Sequence, residues 1–163
     1  MAQIHPIVEH IFKGENPKSI LEIGCGKGIL IKQFVQDQDI KVAGLEIDPT
    51  NEEDFVKNFP TGQFILHDIN NPFPFKDKEF DMVVSIGTLI LIENAEPVLR
   101  EMLRVGKKVA IAEFHDETQD EVGLSMKADV WFIRVYRNYN KLFSKFGIIP
   151  TIEKVEDKWV IKS

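Results

Sequence analysis

A chain of 163 residues, 44% hydrophobic and 28% charged, is long enough to bury one core and reads as a single globular domain. Its formal charge of −6 speaks against a nucleic-acid partner, and its one cysteine, Cys25, excludes an intrachain disulfide framework or a cysteine-rich metal site. No apolar run has the length of a membrane span and the N-terminus lacks a signal peptide's pattern, so the cytoplasm is the expected compartment.

Ile4, Ile7, Val8, Ile11 and Phe12 recur at helical spacing and predict an N-terminal helix ended by Gly14 and Pro17. His5 and His10 lie five apart, not at the i, i+4 spacing of a helical metal pair, and read as surface residues; no metal is expected. The run Ile20-Leu21-Glu22-Ile23 predicts a buried strand that breaks into Gly24-Cys25-Gly26-Lys27-Gly28. Leu30, Ile31, Phe34 and Val35 then predict a helix to about Asp37. A second strand, Lys41 to Leu45, ends in Glu46, followed by a short helix within Thr50 to Phe59. Strands follow at Gly62 to Leu66 and Phe80 to Ser85, separated by the proline-bearing Asn71-Pro72-Phe73-Pro74-Phe75. Asn94 is placed to cap a helix carrying Val98, Leu99, Met102 and Leu103, closed by Gly106, and Val109 to Phe114 is a fifth strand. The stretch His115 to Asn138, acidic and then aromatic, is either a helix packed on the sheet or a partial substrate lid. Tyr139, Leu142, Phe143 and Phe146 give a last helix, and two strands end the chain, near Ile148 to Val155 and Trp159 to Lys162. Alternating strands and helices predict an α/β fold: a Rossmann-like, mostly parallel sheet with helices on both faces.

The glycine turn after the first strand is the chemical centre. Glycines there accept positive φ and leave no Cβ between backbone and ligand. An acid closing the second strand sits where ribose hydroxyls donate, so Glu46 and the glycines together indicate a nucleoside site. A phosphate-binding P-loop is absent, and Ile29 stands where a dinucleotide fingerprint has its third glycine, so a nicotinamide or flavin dinucleotide fits poorly.

The pattern Glu22-Ile23-Gly24-Cys25-Gly26-Lys27-Gly28 resembles the first motif of class I S-adenosylmethionine-dependent methyltransferases. Gly44-Leu45-Glu46-Ile47-Asp48-Pro49 resembles the family's second motif and His67-Asp68-Ile69 its third. Pro72-Phe73-Pro74-Phe75 through Ser85 is similar to its proline-containing loop and fourth strand, so the likeness runs over roughly residues 18 to 114. The resemblance implies one domain over 1–163 with a sheet of about seven strands and an antiparallel C-terminal hairpin strand, and a lid insertion at 115–138. It implies S-adenosyl-L-methionine as cofactor, bound by Glu22, Gly24, Cys25, Gly26, Gly28, Glu46, Ile47, Asp68, Ile69 and Ser85. The implied reaction is in-line methyl transfer to a small molecule, with His115, Thr88 and Tyr136 (and beside them Glu113) as candidate bases. The block Glu101 to Lys108, with Glu46-Ile47-Asp48, looks like the MetW family, which implies a partner protein, a homoserine acyltransferase. That family's chains are longer in the region of Gly123–Asn138. Two further readings stay open: a non-catalytic S-adenosylmethionine-binding module that regulates or scaffolds a partner enzyme, and a nicotinamide oxidoreductase.

Overall fold

The structure is a computed structural model that describes residues 4–36, 38–113, 121–127 and 130–163, with 121–127 and 130–136 described at the level of the backbone. Its strands are β1 (Ser19–Ile23), β2 (Lys41–Glu46), β3 (Gln63–Leu66), β4 (Phe80–Ile86), β5 (Gly106–Glu113), β6 (Glu121–Lys127), β7 (Val130–Tyr136), β8 (Thr151–Val155) and β9 (Lys158–Lys162). Its helices are α1 (Pro6–Phe12), α2 (Ile29–Val35), α3 (Glu52–Asn58), α4 (Glu96–Val105) and α5 (Tyr139–Ser144).

Seven strands form one sheet in the order β3-β2-β1-β4-β5-β9-β8. The first five are parallel; β9 runs antiparallel to both β5 and β8, as the resemblance implied. Period-two alternation sorts β1 between two cores. Leu21 and Ile23 face α4 and α5, packing with Val98, Leu99, Met102, Leu142 and Phe143. Ile20 faces α1, α2 and α3, with Ile7, Val8, Ile11, Ile31 and Phe55. Helices therefore cover both faces of the sheet.

Chain order reverses at β1, whose Ile23 pairs with Leu45 of β2 on one side and Ser85 of β4 on the other. The connections leaving these strands diverge to opposite faces there, which opens a crevice at the carboxyl ends of the strands.

Two expectations change. Gly106 does not end α4 in a left-handed turn; its φ is −101° and it begins β5, three residues before Val109. A Cβ at this position would lie 2.6 Å from Val83 Cγ2, so the close approach of α4 to β4 requires the glycine. The helix reading of 115–138 also gives way: β6 and β7 pair antiparallel, Glu121 opposite Tyr136 and Leu124 opposite Ile133. The physical reason lies in the run Val130 to Tyr136, whose branched and aromatic residues favour a strand. Among the described residues, no helix is long and apolar enough to cross a membrane.

Candidate functional site

The turn after β1 is drawn against the end of β2: Gly24 and Cys25 both donate backbone N–H to Leu45 O, at 2.8 and 3.1 Å. Gly24, Gly26 and Gly28 adopt φ of 65°, 49° and 69°. Their surroundings differ. A Cβ on Gly24 would strike the Thr88 side chain, and one on Gly28 would strike the Phe59 ring. Around Gly26 the same construction meets nothing within 4 Å. Packing thus accounts for the outer two glycines, while open space lies in front of the middle one.

Glu46 ties this turn to the next loop. Its Oε2 accepts the Gly26 N–H at 2.7 Å, and its Oε1 accepts those of Ile47 and Asp48 at 2.9 and 3.0 Å. A carboxylate offers about four lone-pair positions, so three backbone donors leave capacity for a hydroxyl.

Glu22, on the same β1–β2 face, is 4% exposed, and its Oε2 has no partner among the described residues. Burial, and then the nearby Glu46, pushes its carboxyl up to about 8. Ser85 at the end of β4 is fully buried with its hydroxyl likewise unpartnered. Such orphaned polar atoms are costly unless something else completes them. Cys25 is buried against Gly44, and burial followed by Glu22 and Glu46 pushes its thiol well up. It is a packing residue with no thiolate character.

A cavity of about 330 Å³ opens beside the turn, between the end of β2, the loop after β3 and the turn after β4. It brings together Gly24, Glu46, Ile47, Asp68, Ile69 and Thr88 from the expected set; Glu22, Cys25, Gly26, Gly28 and Ser85 are not in its lining. Asp68 Oδ1 accepts from Asn70 N and Nδ2, both at 2.9 Å, and those bonds hold its carboxyl below the usual range. It stays ionised. Thr88 Oγ1 donates to Gly24 O at 3.4 Å, which fixes the cavity wall against the glycine turn. His115 lies outside the described residues. Tyr136 ends β7, whose backbone runs beside the 3₁₀ turn Leu89–Leu91.

Leu91 and Ile92 also line the cavity. The apolar run Leu89-Ile90-Leu91 forms a 3₁₀ turn, with Leu89 and Ile90 buried and Leu91 half exposed. A run of three residues is too short for periodicity to say which member stays exposed. A second hollow, about 200 Å³, lies at the far end of α2, where Lys32 already donates to Asn58 Oδ1 at 2.8 Å.

Residues 21–112 match the family model described as "Methyltransferase domain". The chain belongs to this methyltransferase family. Norajmaline N-methyltransferase of Rauvolfia serpentina is 25% identical to this chain over 123 residues, covering 71% of this chain and 42% of that protein. The bifunctional methionine biosynthesis protein MetXA/MetW of Rhodopirellula baltica is 30% identical over 105 residues, 58% of this chain and 16% of that one. The 18S rRNA (guanine(1575)-N(7))-methyltransferase of Saccharomyces cerevisiae is 29% identical over 117 residues, 63% of this chain and 42% of the other. The chain spans less than half the length of each of these relatives.

Among solved structures, a SAM-dependent methyltransferase from Methanosarcina mazei superposes with a TM-score of 0.74 at 16% identity, covering 98% of this chain and 97% of that one. The Burkholderia thailandensis 1,6-didemethyltoxoflavin-N1-methyltransferase, solved with its substrate and S-adenosylhomocysteine, gives 0.76 at 13% identity, over 99% and 77%. These likenesses establish the fold, that of class I S-adenosylmethionine-dependent methyltransferases. The residues present suit that cofactor: open space at Gly26, spare acceptor capacity on Glu46, the Asp68 carboxylate at the cavity, and buried Glu22 Oε2 and Ser85 Oγ with no partner among the described residues.

Proposed function

We propose that this domain binds S-adenosylmethionine in the crevice at β1, β2 and β4 and catalyses methyl transfer to a small molecule. The observation carrying the proposal is Glu46, whose carboxylate holds the glycine turn and the β2 loop together while facing the cavity. In this reading Glu46 accepts from the ribose hydroxyls and Asp68 from the adenine amino group, with Ile47 and Ile69 against the base. Glu22 accepts from the ammonium of the methionine end; Ser85 is a further polar partner. Gly24, Cys25, Gly26 and Gly28 supply backbone close to the ligand.

S-adenosylmethionine, when bound, supplies a methyl group already activated on a sulfonium. The chain's own task is then alignment and exclusion of water. Thr88, His115 and Tyr136 are the residues to remove a proton from an acceptor that must lose one. The β6–β7 hairpin, next in chain order after β5 and beside the Leu89–Leu91 turn, is the element that faces the acceptor.

A second reading is favoured by the relative in which MetW is joined to MetXA: a cofactor-binding module acting on a partner enzyme. Calorimetry with S-adenosylhomocysteine tests the site in either case; absence of binding refutes both. Release of S-adenosylhomocysteine in the presence of a panel of small amines, hydroxyl compounds and an rRNA fragment then separates them. Turnover with a small acceptor supports the first reading, and binding without turnover on any member supports the second.

A further inference from the structure

The insertion between β5 and α5 leaves the body of the protein at Glu113 and returns at Arg137. Both residues are buried, 1% and 5% exposed, and both grip one short stretch of backbone. Glu113 Oε1 accepts the Leu89 N–H at 2.8 Å, and the backbone N–H groups of Ile90 and Thr88 stabilise the same carboxylate. Arg137 Nη1 donates to Leu89 O at 2.5 Å and Nη2 to Glu93 O at 3.0 Å. Leu89 is thus held from both sides of its backbone, by the two ends of the hairpin segment. Tyr139, fully buried, bonds to the Arg137 side chain and braces it from α5.

The stretch so held is the cavity wall. Thr88, Leu91 and Ile92 line the crevice, and Thr88 also touches the Gly24 turn. Charged groups make stronger hydrogen bonds to backbone than neutral ones, and a guanidinium fork fixes two carbonyls in one geometry. A hydrophobic pair at these positions would fill the space but leave the Leu89 N–H unpaired and Leu89 O with the Ile92 N–H alone. Burying two ionisable groups is expensive for stability alone, and their target is the wall of a binding site.

We infer that Glu113 and Arg137 are positioning residues: they set the 88–93 wall against the cofactor and couple its position to the β6–β7 hairpin on the acceptor side. The inference rests on the crevice being the cofactor site. Movement of the hairpin roots is transmitted to Leu89 by hydrogen bonds, and from there to Thr88 and Leu91. Acceptor binding and cofactor binding are thereby linked through this wall.

The test compares S-adenosylhomocysteine affinity by calorimetry with ligand-free melting temperature, for the parent and four variants. Glu113→Ala and Arg137→Lys each bind about tenfold more weakly, the scale of one lost hydrogen bond to a charged group. Glu113→Gln keeps an oxygen for the Leu89 N–H and binds within about threefold of the parent. Met102→Ala opens a core cavity at the opposite end of the sheet; it melts lower and binds as the parent does. If Glu113→Ala does not fold, Arg137→Lys against Glu113→Gln carries the comparison. Equal affinity in Arg137→Lys and the parent, or an equal loss in Met102→Ala, overturns the inference and leaves the site reading intact. A parent that binds no S-adenosylhomocysteine refutes the site reading itself.

Discussion

Replacing Glu46 with alanine removes acceptors from three backbone N–H groups at 2.7, 2.9 and 3.0 Å. Ile47 and Asp48 lie on the exposed loop, so water takes over their N–H groups at small cost. The Gly26 N–H is partly buried and loses a bond to a charge, which puts the cost to the free protein at about 1–2 kcal/mol. In the complex a ribose hydroxyl loses its acceptor as well, and the glycine turn loses its tether. Together these weaken S-adenosylhomocysteine binding by about 2–3 kcal/mol, or roughly 30- to 150-fold. Glu46→Gln, with one oxygen left, falls between. Calorimetry reads the affinity and a ligand-free melt reads the tether separately. Binding of Glu46→Ala within about threefold of the parent would refute both the ribose assignment and the role of the tether.

Gly26→Ala and Gly28→Ala separate ligand approach from packing. The first places a methyl group in open space at a φ of 49°, so it should cost about 1–2 kcal/mol of stability yet abolish cofactor binding; retained affinity contradicts the site. The second drives a methyl into Phe59 and should lower the melting temperature further. Glu22 gives a pH signature. Its folded carboxyl sits at about 8 against an ordinary 4.5, so the folded form takes up the proton more readily. The stability this adds is full below 4.5 and is lost as pH rises to about 8, and Glu113, pushed up to about 7, acts in the same direction. Ligand-free melting temperature should therefore fall across that window, and fall less in Glu22→Gln; equal slopes would discount burial as the cause. Cys25 should resist alkylation in the native protein and react promptly in urea, and rapid native labelling would contradict its burial.

The β1 turn and the acid after β2 were readable because their constraints are local: a strand breaking into glycines, a carboxylate at a strand end. The reasons behind the glycines were not. Gly28 answers to Phe59, thirty-one residues away, and Gly106 to Val83 on a neighbouring strand. Local pattern carries no record of such contacts. Glu113 was visible as a strand-end acid, but Arg137 carried no motif; its meaning comes from reaching back forty-eight residues to Leu89. The same limit applies to β6 and β7. An acidic stretch ahead of an aromatic one is compatible with helix or strand, and cross-strand pairing decided between them.

The position of β9 has a consequence for the order of assembly. Of the seven strands in this sheet it comes last in sequence, yet it lies inside the sheet, with β5 on one side and β8 on the other. Until it emerges from the ribosome, β5 presents Ala110, Ile111 and Ala112 along an unpaired border, open to any other extended chain. Closure of this side must therefore wait for β9, and is governed by contacts far apart in sequence such as Ser163 N to Val109 O. Crowded expression is the circumstance in which that border is most exposed to misassembly.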